Sequence, residues 1–186
     1  FILVFGERGP VENRLRKKVK KIYVVDKIRS AISPLRDLSA LNRICKIVKE
    51  EKPDIIHCHS TKAGMLGRMA AFIYKRPWVY TIHGCGWRGM KGLNRMLIIL
   101  AERILSYFPK GRYIFVSKNV ESEAKSVLGH GISGNVIFNG VSPIHVNYEK
   151  NDGELCILMP ARVSSAKDHK SLIKAFENGK FVNSKL

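Results

Sequence analysis

Acidic side chains are scarce in this sequence: its 186 residues include 15 Asp and Glu against 33 Lys and Arg, so the formal net charge is +18. Long apolar runs are missing as well. The longest extends from Met96 to Ala101, far short of the roughly 20 residues that a membrane-spanning helix needs. The charge favours anionic partners, namely nucleic acid, an acidic membrane face or a phosphorylated substrate, and does not by itself choose among them.

Cysteine is present, but never in the C-x-x-C spacing that marks many zinc and redox sites. The four cysteines lie inside predicted helices, strands and strand ends, as buried free thiols do. They are Cys45, Cys58, Cys85 and Cys156. Because free thiols are typical of a reducing compartment, we expect a cytoplasmic protein.

Short apolar, β-branched runs alternate with longer helical patterns along the chain. Most of the runs are continuously apolar, which is typical of parallel strands buried on both faces. The predicted strands are residues 1–5, 22–25, 54–57, 78–82, 113–116, 136–138 and 155–159. The predicted helices are residues 34–52, 61–74, 93–107, 118–128 and 168–177, the first with Ser33 as its N-cap and Pro34 at its first position. This alternation predicts an α/β fold with parallel strands.

The segment 142–152 is polar and lacks periodicity, which predicts a domain boundary. We place one Rossmann-like domain at residues 1–150 and the beginning of a second at residues 151–186. Ligands of such sheets bind beyond the carboxyl ends of the strands. Polar residues at those ends are therefore the candidates for function.

Two strand ends carry polar motifs. After the third predicted strand, Ser60 or Thr61 can cap the next helix, whose free N–H groups form an anion site to which Lys62 adds a charge. After the fourth strand come His83, which can donate or accept a hydrogen bond, and Gly84, which lets the backbone approach a ligand. An ordinary capped helix and a structural loop are the plainer interpretations.

The histidines also suggest a metal site. His57 and His59 alternate along a strand and so share a face, and His83 with Cys85 completes four possible ligands. A metal-dependent hydrolase is therefore an alternative function. Neither motif contains the carboxylate that a hydrolytic metal site usually needs, so we expect no bound metal. The plainer interpretation of His57 is a histidine packed within the sheet.

Arg162 and Lys167 follow the last predicted strand. Arginine offers a planar fork to phosphate and lysine a point charge. Two cations beyond one strand end suit a diphosphate. A solvated basic loop is the plainer explanation of the spacing alone.

Six basic residues crowd the segment 13–21. They are Arg14, Arg16, Lys17, Lys18, Lys20 and Lys21. A solvated helix face is the default interpretation, and docking on the anionic inner face of the cell membrane is the functional one. We expect no nucleic-acid partner, because the cluster has no interleaved aromatic residues and the sequence has no known nucleic-acid-binding motif.

Four separated segments resemble, in order, motifs of the family 4 retaining glycosyltransferases. Residues 53–64 (PDIIHCHSTKAG) resemble the family's PDI[IV]H-x-HS-x-KAG, and residues 81–84 (TIHG) its T-x-HG. Residues 113–117 (YIFVS) and 136–141 (VIFNGV, with the loop glycine Gly140) resemble its VS and NG[IV] segments. Residues 160–167 (PARVSSAK) and 172–176 (LIKAF) resemble its GR-x4-KG-x3-LI-x-AF segment. Residues 22–41 are similar to the branch that builds bacterial cell-surface polysaccharide.

The resemblance implies the GT-B fold of two Rossmann-like domains. It also implies transfer of a sugar from a nucleotide-sugar donor to a polysaccharide or lipid-linked glycan, with retention of configuration. It places the catalytic His83 near the donor sugar and the donor diphosphate on Arg162 and Lys167. The nucleotide-sugar is a substrate and the family binds no catalytic metal, so no cofactor is expected.

The chain departs from the family pattern in extent. Family members begin with an extra strand and a glycine-rich loop, so residues 1–5 resemble their second strand, and the donor domain here stops after one strand and one helix. Ala161 and Asp168 replace the usual glycines beside Arg162 and Lys167. We therefore expect a truncated GT-B protein that is inactive alone. The alternatives are the metal-dependent hydrolase and a non-catalytic basic binding module.

Overall fold

The computed structural model of the chain describes residues 1–7, 9, 11–28, 33–88, 90–143, 155–161, 163, 167–179 and 184–185. The chain forms two compact units, Phe1–Asn139 and Gly140–Leu186. In each unit, parallel strands alternate with helices. This arrangement confirms the predicted α/β class.

The elements follow the predicted order. The first unit contains β1 (Ile2–Phe5), α1 (Val11–Arg16), β2 (Lys21–Val24), α2 (Pro34–Glu51), β3 (Ile56–His59), α3 (Thr61–Ile73), β4 (Trp78–Ile82), α4 (Gly92–Ser106), β5 (Gly111–Phe115), α5 (Lys118–Leu128) and β6 (Gly134–Val136). The second unit contains β7 (Leu155–Cys156), α6 (His169–Asn178) and β8 (Ser184–Lys185). The five predicted helices match α2 to α6 to within one residue at each end. Helix α1 and strand β8 have no counterpart among the predicted elements, β6 lies two residues before the predicted strand 136–138, and β7 is shorter than the predicted strand 155–159.

The strands of the first unit form two parallel sheets. Strands β3, β4, β5 and β6 form the larger sheet in that order, and β1 pairs with β2 in the other. In the larger sheet, Ile56–His59 lie beside Trp78–Thr81 of β4. Because these neighbours are parallel, their carboxyl ends lie at the same edge. The residues that follow β3 and β4 are thereby brought together.

Strand β3 begins two residues later than the predicted start at Asp54. The ladder with β4 starts where Ile56 donates its N–H to the carbonyl of Pro77, at 3.0 Å. The preceding Ile55 is exposed, so the apolar run of the sequence extends further than the strand. As a result His57 and His59 both lie inside β3, on the opposite face from the buried Cys58.

Small residues bring α3 close to the sheet. A Cβ at Gly64 would lie 2.6 Å from the ring of Tyr80, and one at Gly67 would lie 2.5 Å from Sγ of Cys58. Distances this short do not occur between real Cβ atoms and their neighbours. The helix therefore reaches this position only because the two residues have no side chain, as its composition predicts.

Helix α3 also carries a fully buried cation, Arg68. Its Nη2 lies 2.7 Å from Oε2 of Glu102 on α4, its Nε donates to the carbonyl of Gly64, and its Nη1 donates to the hydroxyl of Tyr113 on β5. The guanidinium carbon lies 4.3 Å from the ring centroid of Tyr80 on β4. Burial is the largest influence and lowers the pKa of Arg68, but Glu102, Tyr113 and Tyr80 together outweigh it, so the pKa is raised. One cation thereby connects two helices with two strands.

The cysteines whose side chains the structure describes are free thiols, as predicted. Burial raises the pKa of Cys58 and of Cys85 to about 12, so both are inert thiols. The side chain of Cys156 lies outside the described part of the chain. None of the described helices combines the length and the apolar composition that crossing a bilayer requires.

Removing the carboxylate of Glu102 should strongly destabilise the first unit. Glu102→Ala leaves the charge of Arg68 buried without its counter-ion, and we expect a loss of about 3–5 kcal/mol in the free energy of unfolding. Glu50→Ala is the matched control, because it removes an exposed pair with Lys46 and should cost less than about 1 kcal/mol. Chemical denaturation followed by circular dichroism measures both. Equal losses in the two variants would contradict the central role of the buried pair.

Candidate functional site

Three histidines meet at the carboxyl ends of β3 and β4. His57 and His59 lie on β3, and His83 follows Ile82, the last residue of β4. The ring centroid of His59 is 4.4 Å from that of His57 and 5.3 Å from that of His83. All three side chains are exposed. The two polar motifs of the sequence are therefore neighbours in space, and we call these three residues the histidine cluster.

Hydrogen bonds orient the rings of the histidine cluster. His57 Nε2 lies 2.8 Å from the hydroxyl oxygen of Thr81, and His59 Nδ1 lies 3.0 Å from His83 Nε2. In the second bond one ring donates and the other accepts, so the bond exists only while one ring is neutral. Partial burial lowers the pKa of His57, and the neighbouring His83 lowers it further. Partial burial, followed by His57 and His83, lowers the pKa of His59. Both shifts favour neutral, hydrogen-bonded rings.

The junction between β3 and α3 is strained. Ser60 has φ 62° and ψ 156°, a backbone region that is almost restricted to glycine. Its side chain makes no capping hydrogen bond to α3, so the expected hydroxyl cap is absent at this residue. A conformation of this kind costs about 1–3 kcal/mol and persists only where the surrounding structure holds it, often at ligand sites. The strain lies directly after His59.

Thr61, the other predicted capping residue, is packed beneath the loop that follows β4. A hydrogen bond joins its side chain to that of Tyr80. A Cβ at Gly86 would lie 2.0 Å from Oγ1 of Thr61, so this glycine allows the loop to rest on the first turn of α3. Thr61 therefore has a structural contact at the site where the sequence suggested a cap.

The loop that follows β4 is buried in one part and open to solvent in another. Cys85 and Trp87 are 5% and 3% exposed and belong to the main core of the first unit. A Cβ at Gly84, in contrast, would meet no atom within 4 Å. His83 and Gly84 are thus presented to open space by a loop whose next residues are fixed.

Lys62 forms an ion pair with Asp37, a residue 25 positions earlier in the chain. Its Nζ lies 2.6 Å from Oδ2 of Asp37 on α2, and the two side chains are only 13% and 22% exposed. The pair connects the first turn of α3 with α2. An anion at the start of α3 would meet a lysine whose charge Asp37 already balances in part, which weakens the predicted anion site.

The arrangement does not favour the metal-dependent hydrolase. Nε2 of His57 is engaged by Thr81, and His59 and His83 are bonded to each other through ring nitrogens. Cys85 is buried and lies on the core side of the loop. Over the residues that the structure describes, no three His, Cys, Asp or Glu side chains are grouped so that they could hold a metal ion.

The described part of the structure does not bring the predicted donor-site residues together. Arg162 lies outside the described residues, and Lys167 is an exposed residue of the second unit. Gly140 is the first residue of that unit, and a Cβ there would meet no atom within 4 Å. The histidine cluster belongs to the first unit. The diphosphate site on Arg162 and Lys167 therefore stays a prediction.

The basic cluster of residues 14–21 surrounds the end of α1 and the start of β2. All six of its basic residues are exposed. Arg16 forms an ion pair with Glu12, and Lys21 lies 2.5 Å from Glu51 at the end of α2. Two of the six charges thus have acidic partners that the sequence pattern did not reveal, and the cluster is less positive than its composition suggests.

The chain is similar to known glycosyltransferases. Residues 2–144 match the family described as Glycosyltransferase Family 4. Over 97 residues the chain is 38% identical to the UDP-Gal:alpha-D-GlcNAc-diphosphoundecaprenol alpha-1,3-galactosyltransferase of Escherichia coli, a match that covers 52% of this chain and 25% of that protein. Over 158 residues it is 28% identical to the capsular polysaccharide biosynthesis glycosyltransferase CapM of Staphylococcus aureus, covering 70% of this chain and 41% of CapM. The chain thus spans less than half the length of these relatives.

Among solved structures, MurG of Acinetobacter baumannii aligns with 82% of this chain and 38% of its own, with a TM-score of 0.48 and 16% identity. The family match is the stronger finding, because it extends over more than half of the chain and includes both motifs of the histidine cluster. This chain belongs to Glycosyltransferase Family 4.

Proposed function

We propose that the chain is the acceptor-side part of an enzyme that transfers a sugar from a nucleotide-sugar to a polysaccharide or lipid-linked acceptor, with retention of configuration. The observation that carries the proposal is the family match over residues 2–144. The name of the Escherichia coli relative includes UDP-Gal as donor and a diphosphoundecaprenol-linked sugar as acceptor, so these are the first substrates to test. That match favours neither a hydrolase nor a non-catalytic basic module.

His83 is the group that we propose to act on the donor sugar. It is exposed beyond the end of β4, beside the open space at Gly84. Its Nε2 is engaged by His59, so Nδ1 is the nitrogen that can meet a sugar hydroxyl or the leaving oxygen. A ring held by a fixed partner loses little entropy when substrate binds, and this is how a positioned group contributes to rate.

Arg162 and Lys167 are proposed to bind the donor diphosphate. The departing diphosphate gains negative charge as the glycosidic bond breaks, and cations in place beforehand stabilise that charge. The residues proposed here need no bound metal or other cofactor for this role. The proposal rests on the resemblance of residues 160–167 to the family's segment.

In this proposal the acceptor determines where in the cell the enzyme works. A lipid-linked acceptor would keep the enzyme at the cytoplasmic face of the membrane. The exposed basic cluster of residues 14–21 would then attract the anionic leaflet, to which each basic residue near the surface contributes about 1 kcal/mol.

Transfer activity can be tested in a chimaera. Residues 2–144 replace the corresponding region of the Escherichia coli galactosyltransferase, and transfer from UDP-Gal to GlcNAc-diphosphoundecaprenol is measured. We expect activity, and a loss of about 100-fold or more when His83→Ala removes a positioned polar group from the chimaera. The chain alone should transfer no sugar above a heat-killed control. A folded chimaera that is inactive, or one that His83→Ala leaves unchanged, contradicts the proposal.

Stability should depend on pH through the histidine cluster. The folded-state pKa values of His57 and His59 are lowered, so the unfolded chain binds protons more readily than the folded chain as pH falls through about 6.5. The free energy of unfolding should therefore be lower at about pH 5 than at about pH 8. The double variant His57→Gln/His59→Gln should show a smaller difference between the two conditions. Denaturant titrations at both pH values measure it, and an unchanged difference would exclude the cluster as its source.

The two glycines of the β4 loop should respond differently to alanine. Gly84→Ala adds a methyl group to open space and should change the free energy of unfolding by less than about 0.5 kcal/mol. Gly86→Ala forces a Cβ against Thr61 and should cost about 1–3 kcal/mol. In the chimaera, Gly84→Ala should still reduce transfer, because its methyl group occupies space beside His83. Full activity of a stable Gly84→Ala chimaera would show that no substrate approaches this loop.

A further inference from the structure

Helix α4 has two apolar faces, of which one lies in the core. Ile98, Glu102 and Leu105 are buried. On the opposite side, large apolar side chains recur at helical spacing and remain exposed. We call them the α4 stripe: Leu93, Met96, Leu97, Leu100 and Ile104, continued by Tyr107 directly after the helix. Each is between 42% and 84% exposed. A helix that only had to cover the sheet would need the first face alone.

The α4 stripe is part of a wider apolar surface. The neighbouring helix α3 exposes Met69, Phe72 and Ile73. Phe72 stacks on Phe108, which follows the end of α4, with ring centroids 4.3 Å apart. Large exposed apolar side chains on two neighbouring helices often mark a place where a protein contacts another molecule or a membrane.

The chain segment that carries the α4 stripe is rich in exposed basic residues and contains no exposed acid. Residues 86–114 contain six cations, namely Arg88, Lys91, Arg95, Arg103, Lys110 and Arg112. Their single acid is Glu102, which is 1% exposed and bonded to Arg68. On the adjacent helix α5, Glu121 and Glu123 are paired with Lys125 and Arg88. The segment therefore combines an exposed apolar helix face with an excess of positive charge.

We propose that the α4 stripe inserts its side chains into the headgroup region of an anionic lipid bilayer. An apolar helix face with basic residues along it is the composition that binds at such an interface, where apolar burial and attraction to anionic lipids add together. A second copy of this chain is the other obvious occupant. It carries the same positive charge, so pairing two such surfaces would bring like charges together. The proposal uses different residues from the cluster at 14–21 and does not rest on the proposed sugar transfer.

Binding of the 186-residue chain to vesicles provides the first test. The chain should bind phosphatidylcholine vesicles that contain phosphatidylglycerol, and binding should weaken as salt rises. Leu97→Gln/Leu100→Gln should lower the partition coefficient by about tenfold or more, because it removes two of the inserting side chains. Leu35→Gln/Leu38→Gln is the matched control, since these two leucines are exposed on α2 at 85% and 55%, and it should bind as the parent does.

Insertion is measured directly with tryptophan. The chain's own Trp78 and Trp87 are 2% and 3% exposed, so an introduced indole is the one that reaches lipid. Leu100→Trp keeps an apolar residue in the α4 stripe, and brominated lipids should quench its fluorescence on binding. Leu35→Trp should not be quenched. Lys17→Glu/Lys18→Glu/Lys20→Glu should leave the quenching of the bound Leu100→Trp protein in place, even if it weakens binding.

Three results would overturn the proposal. The first is no binding to anionic vesicles at low salt. The second is binding of Leu97→Gln/Leu100→Gln equal to that of the parent, or a bound Leu100→Trp protein without quenching. The third is a stable dimer in sedimentation velocity that Leu97→Gln/Leu100→Gln converts into a monomer, which would assign the stripe to a second copy. Circular dichroism melts establish that each variant is folded.

Discussion

The buried pair of Arg68 and Glu102 is the constraint on which the first unit depends. A buried cation must have its partners in place, and these partners come from α3, α4 and β5, with the Tyr80 ring of β4 against the guanidinium. The pair therefore fixes α4 in rotation as well as in position. With Glu102 turned inward, the opposite side of the helix has to face outward, and that side carries the α4 stripe. The orientation of α4 therefore accounts for both the buried pair of Glu102 with Arg68 and the exposed α4 stripe.

A second constraint operates at the end of β3. The ladder with β4 continues through His59, and α3 begins at Thr61, so the chain enters the helix within one residue. Ser60 takes the strained conformation that this sharp entry needs. With this geometry the ring of His59 lies beside that of His83, and the two rings share a hydrogen bond.

The sequence predicted much of the fold because its strands and helices have local signals. Continuous apolar runs, Pro34 at the start of α2 and Gly129 at the end of α5 all report on neighbouring residues. The misses are pairings across the chain. Lys62 with Asp37, Lys21 with Glu51 and Arg68 with Glu102 join residues between 25 and 34 positions apart, and no periodicity reveals them. The predicted start of β3 failed for a related reason: Ile55 belongs to the apolar run but has no partner in the ladder. The motifs did predict where polar residues converge, since parallel strands bring their ends to one edge.

The histidine cluster and the α4 stripe are joined by a short piece of chain. His83 directly follows β4, and α4 begins at Gly92, with the buried Cys85 and Trp87 between them. Cys85 and Trp87 belong to the same core cluster as Ile98 of α4, so the loop and the helix are parts of one packed unit. If α4 lies in a bilayer surface, the unit that carries the proposed catalytic His83 is held at that surface. A lipid-linked diphosphate sugar is confined to that same layer, and confinement of both partners to one surface raises their effective concentration without any new contact. Membrane contact through α4 would therefore serve the proposed reaction by bringing enzyme and acceptor to the same surface.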